Sequence, residues 1–69
     1  MQNNILKWKR LDAGEYESLD GRFYILKCWD RMYGNHWELH DRKEPDYYKG
    51  LYPEKTLTDC KVRAMSINK

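Results

Sequence analysis

The residues able to do chemistry gather around one short stretch, His36-Trp37-Glu38-Leu39-His40, with Asp41 after it and thiols at Cys28 and Cys60. Two imidazoles four residues apart beside a glutamate invite comparison with the helical zinc-protease pattern. There the Glu directly follows the first His, so that one helix face carries both metal ligands and the general base. Here the Glu takes third place, and polar and apolar residues alternate with the period of a strand. On a strand the two imidazoles stand ~13 Å apart at ~3.3 Å per residue, too far for one ion with ligands at ~2 Å. The cysteines add soft ligands but lack the paired spacing of zinc modules. The sequence therefore predicts no metal and no cofactor, with His36 and His40 facing solvent. Cys28, His40 and Asp41 could be combined into a nucleophilic set. The register derived below puts Cys28 and His40 on the outer face of a sheet, however, where no cleft excludes water, and a cavity of ~300 Å³ is hard to build at this size. The glycines at 14, 21, 34 and 50 are isolated turn residues and form no phosphate loop. No catalytic residue is expected, and the chain reads as a binding protein, not an enzyme.

The elements that position these residues begin with Asp20-Gly21, a dipeptide suited to the positive φ angles of a two-residue hairpin turn. Such a turn sets Ser18 opposite Phe23, Glu17 opposite Tyr24, Tyr16 opposite Ile25 and Glu15 opposite Leu26. Tyr16, Phe23 and Ile25 then share the core face, and Glu15, Glu17, Tyr24 and Leu26 the other. Gly34-Asn35 precedes a second alternating run in which Trp37 and Leu39 point inward, which requires an odd number of connecting residues, supplied by a bulge or a three- to seven-residue loop within Trp29 to Asn35. Arg42 to Glu54 contains Pro45, Pro53 and Gly50 and reads as a loop. Thr56-Leu57-Thr58-Asp59 is a capping box that starts a helix, whose stripe of Leu57, Cys60, Ala64 and Ile67 covers the Trp37 face. Ile5 to Leu11 is an extra strand or the start of the first one, with Asp12-Ala13-Gly14 as the break. The predicted fold class is α+β, a three-stranded antiparallel meander with one C-terminal helix, in a single domain over residues 1–69.

Composition narrows the function. Lys and Arg number 13 against 11 Asp and Glu, and the net charge of +2 creates no strong field towards nucleic acid or anionic membrane. Leu, Ile, Val and Phe make up 12 of the 69 residues, so three Trp and six Tyr must supply much of the core. Charged residues interrupt the N-terminal stretch before any signal-like apolar run forms, and no segment could span a membrane. Two cysteines are too few for a secreted disulfide framework, and a reducing cytoplasm is the expected location. Cys28 and Cys60 should lie on opposite sides of the sheet and stay unpaired.

The outer face carries Tyr24, Leu26 and Cys28 in a row edged by Glu15, Glu17 and Glu38, an apolar strip that fits a protein-binding or self-association surface. Trp29, Arg31, Tyr33, Tyr47, Tyr48 and Tyr52 add the residue types that dominate binding hot spots. The candidate partner-binding set is thus Tyr24, Leu26, Trp29, Arg31, Tyr33, Glu38, Tyr47, Tyr48 and Tyr52.

The run from Gly14 to Ile25, Trp37-Glu38-Leu39 with Asp41, then Thr56-Leu57 and Lys61 to Ala64 resembles small sheet-plus-helix proteins of phages and other mobile elements. More distantly, it is similar to the three-stranded arm-binding domain of tyrosine integrases. The first resemblance implies an accessory protein or inhibitor, anti-CRISPR proteins being one such class, that occludes a protein partner in the host cytoplasm. The second implies a DNA-binding sheet. Glu15, Glu17 and Glu38 on the exposed face oppose that use, although Lys7, Arg22, Lys27 and Arg31 could make an edge contact. A protein partner is expected, duplex DNA is the alternative, a membrane is not expected, and a second copy of the chain is a further candidate.

Overall fold

Short runs of strand-forming residues separated by glycine-marked turns fold most simply as successive hairpins. In the computed structural model, which describes residues 6–68, five such runs form one antiparallel sheet in sequential order. The strands are β1 (Trp8–Asp12), β2 (Glu15–Ser18), β3 (Phe23–Asp30), β4 (Gly34–Asp41) and β5 (Leu51–Glu54), followed by helix α1 (Leu57–Ile67). The α+β class, the antiparallel meander and the C-terminal helix are those expected, but the sheet has five strands instead of three.

The two added strands have clear causes. Trp8–Asp12 forms a strand of its own, paired through Trp8 with Ser18 and Arg10 with Tyr16, and a bulge between Arg10 and Asp12 absorbs Leu11. Ile5, included in the expected extra strand, lies outside the described residues. Leu51–Glu54 belongs to the stretch read as a loop because Pro53 argues against a strand. Yet β5 is the outermost strand beside β4, where Pro53 pairs with Glu38, and a sheet edge is where proline is tolerated.

The first hairpin has the expected register, with Glu15 opposite Leu26, Tyr16 opposite Ile25 and Glu17 opposite Tyr24. Its turn differs from the expected two-residue form. Gly21 N donates to Ser18 O at 2.9 Å, which makes Leu19 and Asp20 the central residues. Only Gly21 takes a positive φ, 80°, in this turn. The register survives because the longer loop is centred on the same point. Ser18 Oγ is buried and accepts from Phe23 N at 2.9 Å, closing the hairpin. In the second hairpin the loop is residues 31–33, an odd count as required, and it sets Ile25 opposite Leu39.

Phe23, Ile25, Leu39, Cys60 and Ala64 are fully buried between the sheet and α1, with Leu6, Trp8, Tyr16, Trp37, Tyr52, Leu57 and Ile67 packed around them. Thr56 caps the helix as expected, its Oγ1 accepting from Asp59 N at 3.0 Å. The small side chains of Cys60 and Ala64 let the helix lie close on the sheet. Cationic side chains cover aromatic rings: Arg22 lies over the buried Phe23 at 4.7 Å and, at the rim, Lys61 lies over Tyr16 at 5.3 Å and Arg63 over Tyr52 at 5.6 Å.

At one end of the core, the Arg22 guanidinium grips Asp41 with two hydrogen bonds, Nε to Oδ1 at 2.9 Å and Nη2 to Oδ2 at 3.1 Å. Lys43 N also donates to Asp41 Oδ1, at 3.0 Å. The paired guanidinium holds the Asp41 carboxyl below its ordinary pKa, against the opposing effect of burial. A depressed folded-state pKa stabilises the fold above the unfolded-state value near 4, and the contribution disappears as pH falls through the folded value. Asp41→Asn should therefore lower the unfolding free energy by about 1–3 kcal/mol at pH 7, since it leaves Arg22 without its carboxylate. Urea melts at successive pH values should show variant and wild type converging in acid. A constant gap down to pH 2 would contradict this account.

Candidate functional site

The register that puts Ile25 opposite Leu39 on the core face also builds the opposite face. There Tyr24 stands opposite His40, Leu26 opposite Glu38 and Cys28 opposite His36, three cross-strand pairs on two adjacent strands. Side chains two apart on β4 project the same way, so His36, Glu38 and His40 line up beside the row of Tyr24, Leu26 and Cys28.

Glu38 lies at the centre of this block. Its Oε2 is 3.1 Å from His36 Nε2 and its Oε1 is 3.4 Å from His40 Nε2. The Cys28 Sγ, a ring nitrogen of His36 and a carboxylate oxygen of Glu38 all lie within 4.8 Å of one another. The His36 side chain is only 5% exposed, and those of Glu38 and His40 are 21% and 17% exposed. The expectation of two solvent-facing histidines is therefore corrected for His36, which is buried under its neighbours. The Tyr33 ring packs at 5.4 Å from the His36 ring, while Tyr24 and Tyr47 flank His40 at 6.0 and 5.6 Å.

Electrostatics follow from these contacts. His36 Nδ1 faces Gly34 O at 3.1 Å, and this hydrogen bond, followed by Glu38, raises the pKa of the imidazole. Burial pushes the Cys28 thiol up to about 11, with Glu38 adding to the effect. Such a thiol is a poor nucleophile at neutral pH. His40 Nε2 is buried and has no hydrogen-bond partner. Cys60 lies on the other side of the sheet, under the helix, and burial raises its thiol to about 12; both cysteines are free.

The loop after β4 folds part of the way over this face. Asp41 N donates to Gly50 O at 2.8 Å, and Gly50 N to Asp46 O at 3.1 Å. A Cβ on Gly50 would sit 2.8 Å from Asp41 O, so only glycine allows this close return. Arg42 lies over the Tyr24 ring at 5.3 Å and binds both Glu17 and, at 3.2 Å, Gly21 O. The hydrogen bond from Arg42 pulls the Glu17 carboxyl below its ordinary range. Between loop and sheet runs a groove of about 460 Å³ with Tyr24, Leu26 and His40 on its floor and Pro45 and Tyr47 on its wall. A second hollow, of about 260 Å³, lies between Tyr33, His36 and Pro53.

Of the partner-binding candidates, Tyr24, Leu26, Glu38, Tyr33 and Tyr47 thus come together on the outer face. Tyr48 meets the edge of Tyr47 at 5.2 Å. Arg31 sits in the β3–β4 turn. Trp29 belongs to β3 opposite Asn35, on the helix-side face but 68% exposed. Tyr52 pairs with Leu39 and packs on the core, so it faces away from the groove. The expected row overlooked His36, although pairing Ile25 with Leu39 already implies Cys28 opposite His36. Among the described residues, no helix is long and apolar enough to cross a membrane. Comparison with known proteins brings no match, whether to a described family, a curated protein or a solved structure.

At pH 8 about one Cys28 thiol in a thousand should be ionised, against roughly one in four for an ordinary cysteine. Iodoacetamide should therefore alkylate the native chain slowly and both thiols quickly in urea. Fast single-site labelling of the native chain, mapped to Cys28 by mass spectrometry, would be the contrary result.

Proposed function

We propose that the chain is a non-catalytic protein-binding module whose contact surface is the outer sheet face with its bordering aromatic loops. The observation that carries this reading is where the large side chains lie. A chain of 69 residues with three Trp and six Tyr leaves Trp29, Tyr33, Tyr47 and Tyr48 between 59% and 80% exposed, with Met32 at 83%. A domain poor in aliphatic residues would gain stability by burying such rings, and the display of Tyr47 on the groove wall, with Tyr48 against it and Tyr33 beside the second hollow, matches the composition of binding hot spots; Trp29 is exposed on the helix-side face. The groove over Tyr24 and Leu26 would accept an apolar or aromatic side chain of the partner. Occlusion of a host or rival machine, the role of mobile-element inhibitors including anti-CRISPR proteins, is the use we assign to this surface.

Charge supports a protein partner over DNA. Glu15, Glu17 and Glu38 lie on the outer face, while Arg42 and Lys9 contact Glu17 and Arg22 is held by Asp41. On that face Lys9 and Arg42 are thus already engaged by a carboxylate and are less available to phosphates.

Affinity capture from a lysate of the host cell should recover one partner at fixed stoichiometry. Tyr24→Ala and Tyr47→Ala should each weaken that complex at least tenfold, as removal of a hot-spot side chain does. Circular dichroism would confirm that both variants stay folded. Capture unaffected by either substitution, or binding to duplex DNA that falls steeply with salt, would overturn the reading.

A further inference from the structure

We propose that Cys28, His36 and Glu38 form a binding site for a divalent transition-metal ion, zinc by its mixed sulfur, nitrogen and oxygen donors, on the outer face of the sheet. Three features of the cluster support the assignment.

The first is distance. Ligands bonded to zinc at about 2.0–2.3 Å in a tetrahedron are separated from one another by about 3.3–3.8 Å. His36 Nε2 and Glu38 Oε2 are 3.1 Å apart, and all three donors fall within 4.8 Å. Closing the widest gap from at most 4.8 Å to the tetrahedral range is a shift of about 1 Å.

The second is the direction of the lone pairs. A carbonyl oxygen can only accept, so His36 Nδ1, facing Gly34 O, must carry the proton of that hydrogen bond. In the neutral ring this leaves Nε2 with its lone pair aimed at the Glu38 carboxylate, which is also an acceptor. Two acceptors 3.1 Å apart need a positive centre between them, a proton or a metal ion. A histidine whose second nitrogen is held by a backbone carbonyl is also the usual form of a metal ligand.

The third is His40. Its Nε2 is buried, has no hydrogen-bond partner and lies 3.4 Å from the other oxygen of the same carboxylate. With Glu38 bound to the ion through Oε2, a proton on His40 Nε2 would hold Oε1, the carboxylate-orienting role found around metal ligands. The set leaves a fourth position for water, and the nearest further carboxylate is Asp30, whose Oδ2 is 3.8 Å from His36 Nε2. Binding displaces to solvent the Cys28 thiol proton and the proton otherwise shared by His36 Nε2 and Glu38 Oε2, and forms a metal–thiolate bond without any change of oxidation state.

Cobalt(II) gives a direct optical readout, because thiolate coordination produces an intense charge-transfer band and tetrahedral geometry strong visible bands. The chain titrated with cobalt(II) should develop both at one equivalent, and zinc(II) should abolish them. Cys28→Ser should remove the charge-transfer band. Cys60→Ala should retain it. Glu38→Gln, close to isosteric, should weaken zinc at least about a hundredfold against a chromophoric chelator, and His40→Gln about tenfold, the scale of a second-layer contact. Folding of every variant is read first by circular dichroism without metal. A folded wild-type chain that gives no thiolate band with cobalt(II) in tenfold excess would overturn the site, since a proton then bridges His36 and Glu38. A band that survives Cys28→Ser would overturn it equally.

Discussion

The pairing of β3 with β4 is the constraint on which the rest of the molecule depends. Eight residue pairs run from Phe23–Asp41 to Asp30–Gly34, and a turn of residues 31–33 with Gly34 at φ 68° sets their register. Side chains alternate between faces, so a slip by one residue would send Leu39 outward and Glu38 into the core. The same register assembles two unlike environments on the two sides of one ribbon. One is the dry contact of Ile25 with Leu39 beneath the helix, the other the polar cluster of Cys28, His36, Glu38 and His40. Neither can be altered in register without altering the other.

Among the described residues five apolar ones are fully buried, a small core for such a sheet. The chain covers it with amphipathic contacts, Arg22 over the buried Phe23, and extends it at the rim, where Lys61 and Arg63 lie over Tyr16 and Tyr52. Their aliphatic stems cover ring surface while the charges reach water or a carboxylate, as Arg22 does with Asp41 and Arg63 with Glu54 at 2.9 Å. This explains how a sequence so poor in Leu, Ile and Val can fold without burying all its aromatic residues. Those left outside then become available for contact.

Much of the fold was legible because it rests on local signals. Asp20-Gly21 marked the first hairpin, the alternation around Trp37 and Leu39 marked β4, and Thr56 with the Leu57, Cys60, Ala64, Ile67 stripe marked the helix. What escaped was held by neighbours outside the local window. Leu51–Glu54 carries a proline and becomes a strand only because β4 offers it an edge. The candidate site escaped for a related reason: sequence spacing gives the separation of His36 and His40 along β4, while the residue that matters to His36 lies across the ladder at Cys28. Burial of His36 depends on Tyr33 and the β3–β4 turn, which periodicity alone does not reveal.

The two outermost strands have a consequence for how copies of this chain meet one another. β5 is four residues long and includes Pro53, which has no N–H to offer another strand, and β1 is interrupted by its bulge near Leu11 and bears Lys9 and Arg10. Both margins are thus poor templates for continuing the hydrogen-bonded ladder from molecule to molecule. Crowding should not drive the chain into ribbons or fibrils by strand addition, and the sheet stays finite even in a protein displaying so many aromatic rings. Any association between copies is left to the broad surfaces, where side chains and not backbone amides choose the companion.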